Sequence, residues 1–278
     1  MQCHNFNEDW TFEKADQADR LKAFYGNSNA VAVTLPHDAM IREKRDKECP
    51  AGAQSGFYPG GVYTYEKSFL APKEWKNQDV VLEFEGIYGT ARVWINGALA
   101  TVNRNGYMGF SVDLKPWICY GQENLIKIDV DNSNQPNSRW YTGSGIYRDV
   151  NLWTGKGVYI PHDEMKITTL SVNDDVAVVE VCVNLKNTEA CGIEAKCYVE
   201  LIFEEKQNIV FYAERTETVR VQLPVKCPKK WSTDHPNLYQ CCVKTYIGDE
   251  ICDEYTVDFG IRTLTLDPVN GFQINGET

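Results

Sequence analysis

The feature that most constrains the fold of this chain is a long succession of short runs rich in β-branched and aromatic residues. Residues Val62 to Leu70, VYTYEKSFL, alternate aromatic or apolar residues with polar ones, as a strand with one buried face does. Similar runs follow at Val80 to Phe84, Ala91 to Ile95, Phe110 to Leu114 and Leu125 to Val130. Helical periodicity is confined to the polar stretch Lys14 to Phe24 and a short turn near Lys115 to Tyr120. The sequence therefore predicts an all-β protein.

The turns between these runs indicate how the strands are connected. Asn96-Gly97 separates Val93-Trp94-Ile95 from Ala98-Leu99. Because both central residues of a type I′ turn need positive φ, Asn-Gly at this place predicts a tight hairpin. About eight or more short strands with frequent turns are typical of a β-sandwich.

A second series of strand-like runs begins after the turn formed by residues 154–157, TGKG. The predicted strands are Met165 to Val172, Val176 to Leu185, Ile193 to Phe203, Thr218 to Leu223, Tyr239 to Tyr246 and Tyr255 to Phe259. Roughly six or seven strands in about 100 residues fit an immunoglobulin-like sandwich, which places a domain boundary near residue 157. Residues 263–278 fit neither sandwich and end just after an Asn275-Gly276 turn.

Composition excludes several classes of function. The 278 residues are 43% hydrophobic and 24% charged, which is ordinary for a globular protein. The net charge of −11 opposes binding to nucleic acid and to anionic membranes, and no apolar run is long enough for a membrane-spanning helix. The N-terminus lacks the basic and apolar regions of a secretory signal. We therefore expect a cytoplasmic protein, or one from which a signal has been removed.

Ten cysteines are present, but none forms a CxxC pair and no Cys/His set has zinc-finger spacing. Several lie within strand-like runs, as in Val181-Cys182-Val183. This pattern favours mostly free, buried thiols in a reducing compartment. One or two disulfides among them are the alternative. The sequence predicts no metal site and no cofactor.

Residues 138–150, SRWYTGSGIYRDV, place an aromatic pair, a Gly-Ser-Gly turn and an Arg-Asp pair between two strand-like runs. This order resembles a segment near the end of the first domain of glycoside hydrolase family 2, the family of β-galactosidases, β-glucuronidases and β-mannosidases. The resemblance extends over nearly the whole chain, since further motifs follow the order found in the family. They are FNEDWTF at 6–12, LPHD at 35–38, GGVYTY at 60–65, VWING at 93–97, GQEN at 121–124, WSTDHPNLY at 231–239, FGIR at 259–262 and GFQING at 271–276.

The resemblance implies an order of domains. Residues 1–157 would be a jelly-roll (galactose-binding-like) sugar-binding domain, and residues 158–262 an immunoglobulin-like β-sandwich. Residues 263–278 would begin a truncated (β/α)8 barrel, the domain in which the family carries its two catalytic glutamates. The parent protein would then hydrolyse terminal β-linked sugars, with β-galactosides the leading substrate. We expect this chain to be its non-catalytic N-terminal portion, inactive alone, and homo-oligomer contacts remain open.

No catalytic carboxylate pair is predicted among the 39 Asp and Glu residues. A retaining glycosidase needs two carboxyl groups about 5–5.5 Å apart. Carboxylates here mostly alternate with apolar residues, as in Glu83-Phe84-Glu85, which is typical of a solvated strand face. Glu123-Asn124 reverses the order of the family's Asn-Glu motif. His37-Asp38 follows a proline and has no nucleophile tied to it, so a structural turn is favoured over a catalytic dyad.

The candidate substrate-binding residues are Asn137, Ser138, Arg139 and Trp140. The resemblance implies that this loop reaches towards the active-site mouth, where an aromatic plane covers a sugar face while fixed polar groups bind its hydroxyls. Ser138 stands where some β-galactosidases carry an aspartate. The alternative is that residues 138–150 have a structural role and do not contact the sugar. In that case Trp140 and Tyr147 would pack, the glycines would allow a tight bend and Arg148 would pair with a carboxylate.

Two other classes of function remain open at this point. A stand-alone carbohydrate-binding protein could be built from the same two domains. An adhesion or scaffold protein would use the immunoglobulin-like sandwich, but that class favours a signal peptide and disulfides, and neither is evident.

Overall fold

The computed structural model describes residues 1–14, 30–189, 191–201 and 206–278. The predicted all-β class is confirmed, and the chain divides into two compact units, each built of stacked sheets. Apart from Lys14, which ends a strand, the polar stretch Lys14 to Phe24 lies outside the described residues, and Lys115 to Tyr120 forms turns. Within the described ranges, no helix has the length and apolar character needed to cross a membrane.

The first unit comprises Gln2–Thr154. Its strands are β1 (Gln2–Asn5), β2 (Trp10–Lys14), β3 (Val31–Val33), β4 (Val62–Leu70), β5 (Asp79–Phe84), β6 (Ile87–Tyr88), β7 (Thr90–Ile95), β8 (Ala98–Asn103), β9 (Phe110–Asp113), β10 (Glu123–Asp131), β11 (Gly145–Ile146) and β12 (Val150–Gly155). Short 3-10 helices span Met40–Arg42, Gly52–Ser55 and Lys73–Asn77.

These strands form a four-stranded sheet of order β1-β12-β5-β9, a six-stranded sheet of order β3-β2-β4-β10-β7-β8 and the pair β11-β6. One apolar core joins the two larger sheets because alternate residues of each strand point inward. On β10 the fully buried residues are Ile126, Ile128 and Val130, while Lys127 and Asp129 between them face outward. Leu82 and Phe84 of β5 close the core from the opposite sheet.

The hairpin predicted at Asn96-Gly97 connects β7 to β8. Asn96 has φ 49° and Gly97 has φ 82°, so both residues adopt the left-handed conformation that the turn requires. The Asn96 side chain also accepts a hydrogen bond from the Leu125 N–H (2.9 Å), which ties the hairpin tip to β10.

The second unit comprises Gly155–Thr278 together with Met1. Its strands are β13 (Val158–Tyr159), β14 (Met165–Val172), β15 (Val176–Asn187), β16 (Ile193–Leu201), β17 (Lys206–Ala213), β18 (Thr216–Lys226), β19 (Tyr239–Ile247), β20 (Glu250–Phe259), β21 (Leu264–Asp267) and β22 (Gly271–Ile274). In one sheet β15 pairs with β13, β14 and β18, and the other sheet has the order β17-β16-β19-β20.

A separate core fills the second unit. Val179 and Val181 of β15 lie in one apolar cluster with Cys197 and Val199 of β16 from the facing sheet. Strand β17 was not predicted, and β21 with β22 forms a separate hairpin over the residues that fit neither sandwich.

The ten cysteines are all free thiols, but fewer are buried than predicted. Cys49, Cys197, Cys241 and Cys242 are buried, Cys182 and Cys252 are half-buried, and Cys3, Cys119, Cys191 and Cys227 are exposed. The prediction of buried thiols is therefore wrong for most of them. Cys182 shows the reason, because it occupies an outward position of β15 between buried Val181 and Val183.

Candidate functional site

The segment between β10 and β11 is held in place by Asp38. Its Oδ1 accepts hydrogen bonds from the backbone N–H groups of Ser144 and Met40, each at 3.0 Å, and its Oδ2 accepts one from the Tyr141 hydroxyl at 2.7 Å. Gly143 lies against the same carboxylate, so close that an added Cβ would come within 3.0 Å of Oδ2. The turn at residues 35–38 therefore fixes the Gly-Ser-Gly turn.

His37 has a structural environment. It is buried, its Nδ1 lies 2.8 Å from the Tyr65 hydroxyl, and its backbone N–H donates to the Ile146 carbonyl oxygen at 2.8 Å. Burial, with the nearby Arg42 guanidinium, lowers the pKa of His37. These contacts agree with the favoured interpretation of His37-Asp38 as a structural turn.

Asn132 connects the start of this segment to its end. Its buried side-chain amide donates to the Gly143 carbonyl oxygen (3.2 Å) and to the Ser144 hydroxyl, and its Oδ1 accepts a hydrogen bond from Asn137 Nδ2 at 2.6 Å. A second bond runs from Asn137 Nδ2 to the Asn134 carbonyl oxygen. The predicted binding residue Asn137 is thus held by a framework of amides.

This framework borders a cleft of about 560 Å³ in the first unit. The cleft is lined by Tyr88, Gly89, Thr90, Arg104, Asn105, Gly106, Tyr107, Asp131, Asn132, Asn134 and Asn137. The rings of Tyr88 and Tyr107 meet edge to face with centroids 5.4 Å apart. Gly106 is required for this approach, since an added Cβ would lie only 2.6 Å from Tyr88 Cδ2.

The charged and hydroxyl groups of the cleft have defined states. A hydrogen bond from the Ser133 hydroxyl, at 2.7 Å, lowers the pKa of Asp131, and Arg92 adds to the effect from 3.9 Å. Burial, together with the Tyr107 hydroxyl, raises the pKa of Tyr88. At neutral pH the cleft therefore offers an ionised Asp131 carboxylate, the neutral phenol of Tyr88, the Arg104 guanidinium and several amides, a set that suits recognition of hydroxyl groups.

The structure places the four predicted binding residues differently. Asn137 lines the cleft, and Trp140 lies beside it, 59% exposed, with its Nε1 donating to the Tyr107 hydroxyl at 3.2 Å. The Ser138 hydroxyl turns back to the Trp140 carbonyl oxygen at 2.6 Å. Arg139 is exposed on the same loop but does not line the cleft.

The architectural alternative is corrected at two residues. Trp140 is too exposed to be a packing residue. Arg148 lies over the Tyr147 ring, 5.3 Å from its centroid, and its Nη1 is 3.5 Å from the Glu85 carbonyl oxygen. Arg148 thus contacts the Tyr147 ring and the Glu85 carbonyl oxygen, whereas an ion pair with a carboxylate was expected. Tyr147 does serve the framework, since its hydroxyl donates to the Gly106 carbonyl oxygen at 2.9 Å.

Sequence reasoning did not find Tyr88, Arg104, Tyr107 or Asn132 as cleft residues. Tyr88 ends β6, Arg104 and Tyr107 follow β8, and Asn132 follows β10. Asn132 is distant from the other three in the chain and comes beside them only through the pairing of β10 with β7. A local signal was the dipeptide Asn105-Gly106 beside the aromatic Tyr107.

Glu83 and Glu85 are engaged with β12. Glu83 Oε2 accepts a hydrogen bond from Trp153 Nε1 at 2.7 Å, and Glu85 Oε1 accepts one from Asn151 Nδ2 at 3.3 Å. Both carboxylates therefore bind groups on the neighbouring strand, as expected for residues on a strand face.

Comparison with known proteins identifies the family. The model of the sugar binding domain of glycosyl hydrolases family 2 matches residues 52–156, and a second model of glycosyl hydrolases family 2 matches residues 158–262. The chain belongs to glycosyl hydrolases family 2, which confirms the resemblance. The cleft lies wholly within the residues matched by the sugar binding domain.

Relatives align along nearly the whole chain. A β-galactosidase of Bacteroides ovatus is 33% identical over 279 residues, which cover 98% of this chain and 33% of the relative. A putative β-glucuronidase of Formosa agariphila is 32% identical, and the alignment covers 98% of this chain and 26% of the relative. A solved structure of a family 2 member from Bacteroides cellulosilyticus superposes with a TM-score of 0.86 at 29% identity, over all of this chain and 37% of that one. The chain thus spans about a third of the length of these proteins.

Proposed function

We propose that this chain is the non-catalytic, sugar-framing portion of a glycosidase that hydrolyses terminal β-linked sugars, with β-galactosides as the leading substrate. One observation carries the proposal: an amide- and tyrosine-lined cleft lies within the residues matched by the family's sugar binding domain. Exposed aromatic faces with fixed hydrogen-bonding groups around them are suited to bind pyranose rings. The catalytic glutamates would lie in a further domain.

The domain assignment belongs to the same proposal. Residues 1–157 would be the jelly-roll sugar-binding domain, 158–262 the immunoglobulin-like domain, and 263–278 the first residues of the catalytic barrel. The hairpin formed by β21 and β22 would then introduce the barrel.

The substrate class rests on the Bacteroides ovatus relative, which is a β-galactosidase. Other relatives are β-glucuronidases, so a glucuronide is the competing substrate. We also propose a cytoplasmic location.

The complete coding sequence provides the first test. The proposal expects a (β/α)8 barrel with two glutamates placed for retaining hydrolysis, about 5–5.5 Å apart. A coding sequence without such a barrel would contradict the proposal.

Within the complete protein, Asn137 and Trp140 would contact the sugar. Trp140→Ala should raise KM for a chromogenic β-galactoside by about tenfold, the effect of losing one aromatic contact. Tyr198→Ala, which removes an exposed aromatic ring from the second unit, is the matched control and should leave KM unchanged. Equal KM values for the Trp140 variant and the native protein would remove Trp140 from the site.

A stand-alone carbohydrate-binding protein is the second candidate, favoured by the fact that the chain's own residues line the cleft. The two candidates differ in calorimetry with methyl β-galactoside. A stand-alone binding protein predicts measurable affinity of the isolated chain for this short ligand. The sugar-framing portion of a glycosidase predicts little or none, since the barrel would provide most of the pocket.

A further inference from the structure

The outer face of the six-stranded sheet carries a second depression, separate from the cleft. Trp94 of β7 faces outward, directly opposite Lys127 of β10 and paired on its other side with Leu99 of β8. A groove of about 280 Å³ lies here, lined by Trp94, Gly97, Leu125, Lys127 and Asp129. The space above Gly97 is open: an added Cβ there would find no atom within 4 Å.

The apolar character of this groove is unusual for the solvated face of an antiparallel sheet, where polar residues predominate. Leu99 is 43% exposed and Leu125 is 40% exposed, on either side of the half-buried Trp94. Trp94 and Leu125 do not pack in the core, because other apolar side chains hold the inward positions of β7 and β10. The three side chains therefore form an apolar platform that faces solvent.

Polar groups are fixed at one end of this platform. Asp129 Oδ1 accepts a hydrogen bond from the Thr64 hydroxyl at 2.9 Å and lies 3.6 Å from Lys127 Nζ. The second carboxylate oxygen of Asp129 and the other N–H groups of Lys127 supply an acceptor and donors beside the ring. An aromatic platform with an adjacent donor and acceptor matches the two-faced chemistry of a pyranose, which has apolar C–H faces and a hydroxyl rim.

The groove and the cleft open on the same outward face of β7 and β10, with Arg92 between Thr90 and Trp94. Asp131 and Thr90 line the cleft, while Asp129 and Trp94 line the groove, and all four lie on the outward faces of β10 and β7. Thr90 and Trp94 are four residues apart on one strand, a separation of about 13 Å. An extended glycan of a few residues could therefore reach from one depression to the other.

We propose that the groove around Trp94 is a second carbohydrate-binding site, which holds an extended glycan at a distance from the end that enters the cleft. The choice of a glycan as ligand rests on the proposed function, while the groove itself rests on the contacts above. The site would increase affinity for long chains and leave short glycosides unaffected.

The test is binding of the 278-residue chain to an array of neutral and acidic β-linked oligosaccharides, from disaccharides to octasaccharides. We expect long members to bind and Trp94→Ala to weaken that binding by about tenfold. Trp94→Phe, which keeps a ring, should retain most of the affinity. Tyr198→Ala is the control and should bind as the native chain does.

A second variant covers the case in which Trp94→Ala fails to fold, which thermal melting followed by circular dichroism would show. Leu125→Glu changes an exposed side chain and places a carboxylate in the groove, so it should also weaken binding. Three results would overturn the site: no array member binds the native chain, neither groove variant weakens binding, or only Trp140→Ala does. Hydrolysis by the protein of the complete coding sequence tests the proposed function separately.

Discussion

At the residue scale, Asp38 anchors the segment between β10 and β11 that borders the cleft. One carboxylate accepts three hydrogen bonds, from Ser144, Met40 and Tyr141, and no local sequence pattern announces this. The sequence showed only that His37-Asp38 follows a proline, which was enough to predict a turn. Ser144 and Tyr141 could not be predicted as partners because they lie more than a hundred residues from Asp38 and meet it only in the folded unit.

Replacement of Asp38 should therefore be costly. Asp38→Ala leaves the Ser144 and Met40 N–H groups without their acceptor and should lower the free energy of unfolding by about 1–3 kcal/mol in urea titrations. Asp113→Ala is the matched control, because the Asp113 carboxylate is exposed and caps a single backbone N–H, that of Lys115. Equal losses in the two variants would show that Asp38 does not hold the segment.

His37 predicts a dependence of stability on pH. Its pKa is lowered in the folded state, so the unfolded chain binds a proton more readily than the folded chain. The contribution of His37 to stability is complete above its unfolded pKa of about 6.5 and is lost as the pH falls towards its folded pKa.

The test compares how steeply the free energy of unfolding falls with pH in the native chain and in His37→Asn. Between about pH 7.5 and pH 5.5 the free energy of unfolding should fall less in His37→Asn than in the native chain, whatever the absolute stability of the variant. Carboxylates contribute to both slopes, so only the difference reports on His37. Parallel slopes would contradict the assigned environment of this imidazole.

At the scale of elements, the hairpin of β7 and β8 depends on the left-handed backbone conformation of Gly97. Gly97 has φ 82° and open space around the position of an added Cβ, so Gly97→Ala introduces strain without a clash. The variant should lose about 1 kcal/mol of unfolding free energy. Ser68→Ala on the exposed face of β4 should stay within about 0.5 kcal/mol of the native value. A Gly97→Ala variant as stable as the native chain would contradict the turn geometry.

Most strands could be predicted because alternation and turn residues are local signals. Strand β17 was missed although the apolar run Ile209 to Tyr212 lies within it, because its first residues are polar and the run is short. The cleft was predicted only at Asn137, since Tyr88 and Arg104 come beside Asp131 only through the pairing of β7 with β10. Strand pairing of this kind is a long-range property that a local pattern does not encode.

At the scale of the whole molecule, the motifs from residue 6 to residue 276 carried more information than any single site. Their order predicted the family, and matches over residues 52–156 and 158–262 confirm it. The chain spans about a third of its relatives, so the activity proposed for the whole protein rests on family membership and not on a catalytic group in this chain. The proposed substrate, a β-galactoside with a β-glucuronide as competitor, rests on the relatives in the same way.

We propose that this chain frames a sugar but does not cleave it. The most direct measurement compares hydrolysis of a chromogenic β-galactoside and the matching β-glucuronide by the 278-residue chain and by the protein made from the complete coding sequence. We expect turnover of one of these substrates by the complete protein and none by the chain alone. Turnover by the chain that disappears on replacing one of its own carboxylates would show that the chemistry lies in this chain.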